Sequence, residues 1–209
     1  MNLIDKLLCE VDTGLRTLFA TPRSQRPWSG MVNSQPTRLG ESERQKSIRL
    51  MRINHTGEIC AQALYQGQAF TSRQPKQRVM LEQAAKEEID HLAWCATRLG
   101  ELGGNTSRLT PFFYVGSFAL GIASGLAGDQ WSMGFLVETE RQVEAHLDKH
   151  LQQLPPSDER SRQILASMRE DEIKHAQTGL AYGGVDLPSP IRAAMHGFSR
   201  VMTTTTYWV

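Results

Sequence analysis

The segment EEIDHL, residues 87–92, decides the fold class, because it sets Glu88 and His91 three positions apart in a run without proline or glycine. Side chains three and four positions apart lie on one face of an α-helix. The same face carries an apolar stripe of Leu81, Ala84, Leu92, Cys95 and Leu99. A carboxylate and an imidazole buried in such a stripe are destabilising by several kcal/mol unless a partner compensates them. The segment therefore predicts either a solvated helix face or a cation held inside a helical protein.

The same spacing recurs further along the chain. In REDEIKHAQ, residues 169–177, Glu172 precedes His175 by three positions, and their helix face is again apolar or small. Two upstream segments each carry a glutamate on an apolar helical face. They are RINHTGEICAQALY, residues 52–65 with Glu58, and GFLVETERQVEAHL, residues 134–147 with Glu140. The pattern Glu…Glu-x-x-His therefore occurs twice.

The separations within each repeat match a helical hairpin. Glu58 precedes Glu88 by 30 residues, and Glu140 precedes Glu172 by 32. A chain that rises about four helical turns, reverses and descends about four turns returns to the same height. Each hairpin can therefore bring its single glutamate level with its Glu-x-x-His motif. Spacing alone leaves Glu144 as an alternative to Glu140, because both lie on the same helical face.

Four carboxylates and two imidazoles at one level of a bundle would repel one another and be poorly solvated, so the pattern predicts two adjacent metal ions. Carboxylates can bridge the ions and each histidine can supply one nitrogen, as in ferritin-like proteins with two metal ions. Oxygen-rich ligands favour Fe or Mn over a structural zinc site. The predicted ligands are Glu58, Glu88, His91, Glu140, Glu172 and His175.

Proline and glycine divide the rest of the chain into helices, and no segment shows the alternation typical of strands. Helices are predicted over 41–71, from Pro75 to about Gly100, in an apolar region from Thr110 to Pro155, from a Ser157 cap to Gly183, and beyond Pro190. The sequence therefore predicts an all-α, ferritin-like four-helix bundle over residues 41–209, with a long apolar crossover and an extra C-terminal helix. Residues 1–40 are predicted as an amphipathic N-terminal helix followed, over 21–40, by a connecting arm of low order.

Composition narrows the function and the compartment. The 209 residues carry a formal net charge of +1, which gives no electrostatic reason to expect a nucleic-acid partner. The three cysteines form no CxxC pair, so a reducing compartment is favoured over a disulfide framework. The N-terminal residues lack the pattern of a secretory signal.

The segment 112–128 is apolar but short for a spanning helix. It is predicted to be a core helix, an oligomer contact or a segment that enters one membrane leaflet.

Two further acids directly precede predicted ligands. Asp171 comes before Glu172, and Glu87 comes before Glu88. Carboxylates commonly orient metal-bound imidazoles through their outer nitrogen. We therefore hypothesise that Asp171 and Glu87 hydrogen-bond the two motif histidines across the site; exposure to solvent is the alternative.

Four motifs resemble those of one known family. RINHTGE, EEIDHL, VETERQVEAHL and EDEIKHA, within residues 45–209, are similar to motifs of the demethoxyubiquinone hydroxylases, di-iron monooxygenases of ubiquinone biosynthesis. Ferritins, rubrerythrins and ribonucleotide reductases share the ligand arrangement but lack RINHTGE and the C-terminal pattern. The resemblance implies the same six ligands and selects Glu140 over Glu144, because a further histidine, here His146, follows the third-helix glutamate by six residues. It also makes His146 and Tyr65 candidates for catalytic roles beside the metal ions.

The resemblance implies hydroxylation of the aromatic ring of a demethoxyubiquinol that carries a polyprenyl tail. The implied cofactor is a pair of iron ions, Fe²⁺ in the reduced form, and O₂ is the co-substrate. Because such a quinol lies in a membrane, the resemblance favours a peripheral membrane contact through residues 112–128, with 191–202 as a further contact, on the cytoplasmic face of the cell membrane. An external electron donor, other ubiquinone-biosynthesis proteins and a second copy of the chain are further candidate partners.

Two other functions are compatible with the ligand pattern. A ferroxidase or peroxide scavenger would need the metal ions but no lipid substrate, and the apolar crossover argues against it. A non-catalytic helical scaffold that binds quinone or lipid would need the metal for structure alone. Loss of turnover in a Glu172→Ala variant that still folds and binds lipid would exclude the scaffold.

Overall fold

Seven α-helices form the protein in the computed structural model, which describes residues 3–28 and 38–209. They are α1 Leu3–Phe19, α2 Glu41–Thr71, α3 Pro75–Glu101, α4 Thr110–Leu126, α5 Asp129–Gln153, α6 Glu159–Ala181 and α7 Ser189–Thr206. No strand occurs in these described residues. The predicted all-α, ferritin-like bundle is confirmed.

Two helical hairpins build the bundle. α2 pairs with α3, and α5 pairs with α6, each across a short connection. α4 is the crossover between the hairpins and packs along α2, while α7 contacts α2 and α5. The largest apolar cluster includes Met51, Trp94, Leu147 and Leu165. Burial of each such side chain stabilises the folded state by roughly 1.5–3 kcal/mol. The packing of this cluster fixes the heights at which the polar residues of the two hairpins meet.

α2 and α4 approach closely because glycines lie at their contact. A Cβ atom on Gly67 would overlap the backbone carbonyl of Phe118, and one on Gly121 would overlap that of Leu64. The small residues of segment 112–128 therefore serve packing within the chain, as the core-helix prediction expects. The other face of α4 is apolar and exposed, at Phe112, Val115, Leu120 and Leu126.

None of the helices in the two described ranges has both the length and the apolar character needed to traverse a lipid bilayer.

The start of α6 differs from the prediction by one residue. Asp158, not Ser157, is the N-cap, and its Oδ1 accepts a hydrogen bond from the Ser161 backbone N–H at 3.1 Å. The same oxygen accepts a hydrogen bond from Arg98 Nη2 at 2.7 Å. Ser157 Oγ instead donates to Glu43 Oε1 at 2.9 Å. Asp158 takes the cap because its buried carboxylate satisfies both the helix end and an arginine from α3.

The connecting arm differs most from the prediction. It is predicted over 21–40 to have low order. Its described residues are 21–28 and 38–40, and the first of these segments is docked on α3 through Ser24 and Arg26, with Trp28 only 4% exposed. Ser24 Oγ donates to Asp90 Oδ1 at 2.9 Å, across 66 residues of sequence. Local composition does not reveal such a distant pairing. Residues 29–37 lie outside the described part, and the domain division at residue 40 stays a prediction.

α1 is helical, as predicted, but much of its apolar face is not covered by the bundle. The exposed apolar side chains are Ile4, Leu7, Leu8, Val11, Leu15 and Phe19. α1 contacts α2 and α4, so this exposed face adjoins the crossover helix.

Candidate metal centre

The two hairpins bring the six predicted ligands together between α2, α3, α5 and α6. Glu58 comes from α2, Glu88 and His91 from α3, Glu140 from α5, and Glu172 and His175 from α6. All six side chains are buried, and none is more than 7% exposed. The three-residue spacing puts the Glu and His of each motif on one inward face, as helical geometry requires.

The six side chains form two overlapping groups. The first group is Glu58, Glu88, His91 and Glu172, and the second is Glu88, Glu140, Glu172 and His175. Within each group, one ligand atom of every side chain lies within 4.8 Å of the others. Glu88 and Glu172 belong to both groups. The arrangement is therefore suited to two ions with two shared carboxylates, and each group adds one carboxylate and one imidazole.

Both histidines turn Nδ1 toward the shared carboxylates. His91 Nδ1 lies 2.9 Å from Glu88 Oε2 and 3.3 Å from Glu172 Oε1. His175 Nδ1 lies 3.2 Å from Glu88 Oε1 and 3.4 Å from Glu172 Oε2. The same nitrogen of each ring is thus the one available to a metal ion.

The outer nitrogens of the rings contact the two acids singled out in the sequence. His91 Nε2 lies 3.1 Å from Asp171 Oδ2, and His175 Nε2 lies 2.8 Å from Glu87 Oε2. These contacts confirm the hypothesis that Asp171 and Glu87 hydrogen-bond the two histidines. A carboxylate that accepts from Nε2–H fixes the tautomer in which Nδ1 can bind a metal ion.

Arg26 is a site residue that the sequence does not predict. Its Nε donates to Asp90 Oδ2 at 3.0 Å, and its Nη2 donates to Asp171 Oδ2. Arg26 belongs to an arm without helical periodicity, so no spacing rule links it to the motifs. The composition of the arm predicts a loop and carries no information about its contacts.

The cluster is electrostatically incomplete without cations. Burial raises the pKa of Glu58 and of Glu140 well above the ordinary value. The negative charges of Glu88 and Glu172 raise the pKa of Glu58 further, and those of Glu172 and Glu58 raise the pKa of Glu140. Burial also opposes the ionisation of Glu88, but the charge of His91 holds the pKa of Glu88 well below its usual range. Three inner atoms have no hydrogen bond of suitable angle among the described residues: Glu88 Oε1, Glu140 Oε1 and His175 Nδ1, although the first and last lie 3.2 Å apart. Unpaired oxygen and imidazole nitrogen atoms in a buried, acid-rich cluster fit divalent cations such as iron.

The structure distinguishes Glu140 from Glu144, the alternative candidate ligand on α5. Glu140 is 1% exposed, and its Oε1 lies 3.7 Å from His175 Nδ1. Glu144 accepts a hydrogen bond from Arg169 Nη2 at 3.1 Å, and its side chain is 30% exposed. Glu140, and not Glu144, therefore lies in the cluster.

A cavity of about 120 Å³ lies beside Glu58, between α2, α4, α5 and α7. Its wall is mainly apolar and includes Leu64, Leu120, Phe135, Phe198 and Met202. His146 also lines the cavity, and its Nε2 has no hydrogen-bond partner in the described part of the chain. Burial, together with the charge of Lys149, lowers the pKa of His146 to about 4, so the ring is neutral at pH 7.

Tyr65 lies on the same helix as Glu58 but within an apolar cluster. It is 0% exposed and packs in the cluster that contains Leu81, Met133 and Leu136. Its hydroxyl has no hydrogen-bond partner among the residues described. Its catalytic role stays a prediction.

Comparison with known proteins gives the family. Residues 45–206 match the family described as ubiquinone biosynthesis protein COQ7. The chain belongs to the COQ7 family. This match spans all six clustered side chains and confirms the resemblance seen in the four motifs. Arg26 lies before the residues that the COQ7 match covers.

Curated relatives extend the COQ7 similarity over nearly the whole chain. A 3-demethoxyubiquinol 3-hydroxylase of Polynucleobacter necessarius subsp. necessarius is 51% identical over 207 residues, which are 99% of each chain. The protein of that name from Nitrosomonas europaea is 53% identical over 206 residues, again 99% of each chain. The one from Chromobacterium violaceum is 51% identical over 207 residues, 99% of this chain and 100% of its own.

Proposed function

We propose that this chain is a 3-demethoxyubiquinol 3-hydroxylase with a di-iron centre, an enzyme of ubiquinone biosynthesis. Relatives of that name are about half identical to it across nearly the whole length. The observation that carries the proposal is the pair of overlapping ligand groups, because a centre of two adjacent ions needs shared carboxylates.

The donor set suits two iron ions. Glu88 and Glu172 would help to hold both ions, because each belongs to both groups. The remaining ligands are Glu58 with His91 for one ion and Glu140 with His175 for the other. When bound, a pair of ferrous ions would supply O₂ activation: with two electrons from an external donor and two protons, one oxygen atom enters the aromatic ring and the other leaves as water. The protein orients the ligands through Asp171 and Glu87 and excludes water by burying the cluster.

The cavity beside Glu58 is the proposed site of the quinol ring. Its apolar wall suits an aromatic ring and the first units of a tail, while Asn54, Ser117 and Gln142 offer polar groups that can orient it. Phe198 and Met202 of α7 also line the cavity. The extra C-terminal helix thus forms one wall of the proposed substrate site.

His146 is the proposed partner of a quinol hydroxyl. Its ring is neutral at pH 7, and Nε2 has no hydrogen-bond partner in the part of the chain described. A neutral imidazole can accept a hydrogen bond from the hydroxyl, which increases the electron density of the ring that is to be hydroxylated. His146 therefore has a role different from those of the six metal ligands.

The exposed apolar faces of α1 and α4 are the proposed membrane contact. The two helices meet where Gly14 lies against the ring of Tyr114. Phe19 of α1 is 72% exposed and Phe112 of α4 is 73% exposed, and neighbouring exposed apolar side chains continue both faces. Apolar surface of this kind on a helix favours insertion into the interfacial region of a bilayer, where a quinol with a polyprenyl tail is located. The cytoplasmic location, the electron donor and further protein partners rest on the family resemblance.

The proposal is tested by measuring the product. Protein loaded with Fe²⁺ under anaerobic conditions is given a short-tailed demethoxyubiquinol, a chemical reductant and isotopically labelled O₂. We expect one labelled oxygen atom in the ring of the product, detected by mass spectrometry. Turnover of Fe²⁺ or H₂O₂ without ring hydroxylation would instead indicate a ferroxidase or a peroxide scavenger. Quinol binding without any turnover, in protein that retains its iron, would indicate a scaffold.

A further inference from the structure

The two histidines of the proposed centre have unequal outer partners. Glu87, which contacts His175, has a side chain that is 41% exposed and that accepts a hydrogen bond from Gln83 at 3.0 Å. Asp171, which contacts His91, has a side chain that is only 10% exposed. A carboxylate that is largely removed from water needs a compensating positive charge, whereas an exposed one is stabilised by solvent. Asp171 therefore depends on its neighbours more than Glu87 does.

Arg26 provides that charge and joins Asp171 to a second carboxylate. Its Nη2 donates to Asp171 Oδ2, the oxygen that also contacts His91 Nε2, and its Nε donates to Asp90 Oδ2 at 3.0 Å. A guanidinium holds its N–H groups in a fixed plane, which an ammonium group cannot reproduce. Lys174 is the other cation at Asp171, but its side chain is 68% exposed and it contacts Oδ1, at 3.1 Å. The position of Oδ2 therefore depends on Arg26.

The arm that carries Arg26 is fixed to the helix that carries His91. Asp90 Oδ1 accepts a hydrogen bond from Ser24 Oγ at 2.9 Å. Trp94 Nε1 donates to the carbonyl of Arg26 at 3.1 Å, and the guanidinium lies 5.1 Å from the centroid of the Trp94 ring. Asp90 and Trp94 lie one position before and three positions after His91 on α3. The arm is thereby aligned with the same turn of helix as the histidine.

We propose that Arg26 is a positioning residue for the metal centre. It holds Asp171 in the orientation in which His91 keeps Nδ1 directed at an ion. This inference rests on the proposed function, because it concerns the same centre. His91 belongs to one of the two ligand groups and His175 to the other, so Arg26 acts mainly on the ion that His91 binds. Its charge reaches Glu87, the outer partner of His175, through space only.

The test compares Arg26→Gln with Arg26→Lys and with Arg23→Gln, which alters an exposed arginine of the same arm. Each full-length protein is loaded anaerobically with Fe²⁺, and the two iron environments are resolved by Mössbauer spectroscopy. Iron affinities are measured by competition with a chelator, and thermal unfolding is followed in the iron-free proteins. For Arg26→Gln we expect one iron environment to change and that iron to be held about 10–100-fold more weakly. Arg26→Lys should restore part of the affinity, and Arg23→Gln should behave as the wild type.

Three outcomes would overturn the inference. Wild-type spectra and affinities in Arg26→Gln would show that the residue has no effect on the centre. Equal changes at both iron environments, together with a lower melting temperature, would make Arg26 a structural residue only. In both cases the proposed function stands as long as the wild type binds two irons and hydroxylates the quinol. A wild-type protein that binds no iron would overturn the proposed function as well.

Discussion

Glu140 and Glu144 show how one helical turn separates a buried acid from a surface acid. Both lie on the same face of α5 by spacing. One turn of helix corresponds to about 5.4 Å along the axis. That displacement takes Glu144 out of the acid-rich layer and places it against Arg169 of α6, while Glu140 stays 1% exposed.

We expect Glu140→Gln to lower iron content and to reduce hydroxylation by more than about 100-fold, because loss of an outer contact to a ligand already costs about 10–100-fold. Glu144→Gln is the matched control, since it removes only a partly exposed ion pair, worth about 0–1 kcal/mol. Iron content by atomic absorption and steady-state turnover distinguish the two variants. Wild-type iron content in Glu140→Gln would contradict the ligand assignment.

Some residues of the site can be predicted from the sequence and others cannot. The Glu-x-x-His pairs are local patterns, so helical geometry predicts their common face, and Asp171 is predictable because it adjoins a ligand. Arg26 is different, because its partner Asp171 lies 145 residues away in sequence and no periodic pattern connects the two. The contact depends on how the arm docks, and that is decided by the tertiary structure.

Among the elements, α4 contacts the bundle through glycine on one side and leaves apolar residues uncovered on the other. A Cβ atom on Gly121 would meet the carbonyl of Leu64, which is backbone and cannot rotate away.

The helix bounds were largely predictable, since proline and glycine mark most of them. The N-cap of α6 was not, because the choice between Ser157 and Asp158 depends on the distant Arg98.

Gly121→Ala is expected to destabilise the fold by about 1–3 kcal/mol, the usual range for overpacking, despite the higher helix propensity of alanine. Gly116→Ala on the same helix is the control, because its Cβ atom would lie at an ordinary 3.6 Å from the ring of Phe198. That variant should be neutral or more stable by up to about 1 kcal/mol. Urea unfolding measures both, and equal stabilities would refute the close-packing account.

At the scale of the whole molecule, exposed apolar surface lies on α1 and α4, and α4 also lines the proposed substrate cavity. A double variant, Phe112→Ser with Val115→Ser, should partition at least about tenfold less onto phosphatidylcholine vesicles, since full burial of each side chain is worth roughly 1.5–3 kcal/mol. Val79→Ser is the control, because Val79 of α3 is as exposed as Val115, 65% in both cases. Co-sedimentation gives the bound fractions. Undiminished binding by the double variant would place the membrane contact elsewhere.

The two shared carboxylates come from different hairpins, Glu88 from α2–α3 and Glu172 from α5–α6. Contacts within each hairpin are far more extensive than those between α3 and α6. Each ion of the proposed centre would therefore bind side chains of both hairpins. Because a ligand that binds only the folded state stabilises that state, the ions would stabilise the contact between the two hairpins. In an iron-starved cell the two halves would separate more readily and proteases would remove the chain sooner. Iron supply would then govern how much of the enzyme survives as well as how fast it works.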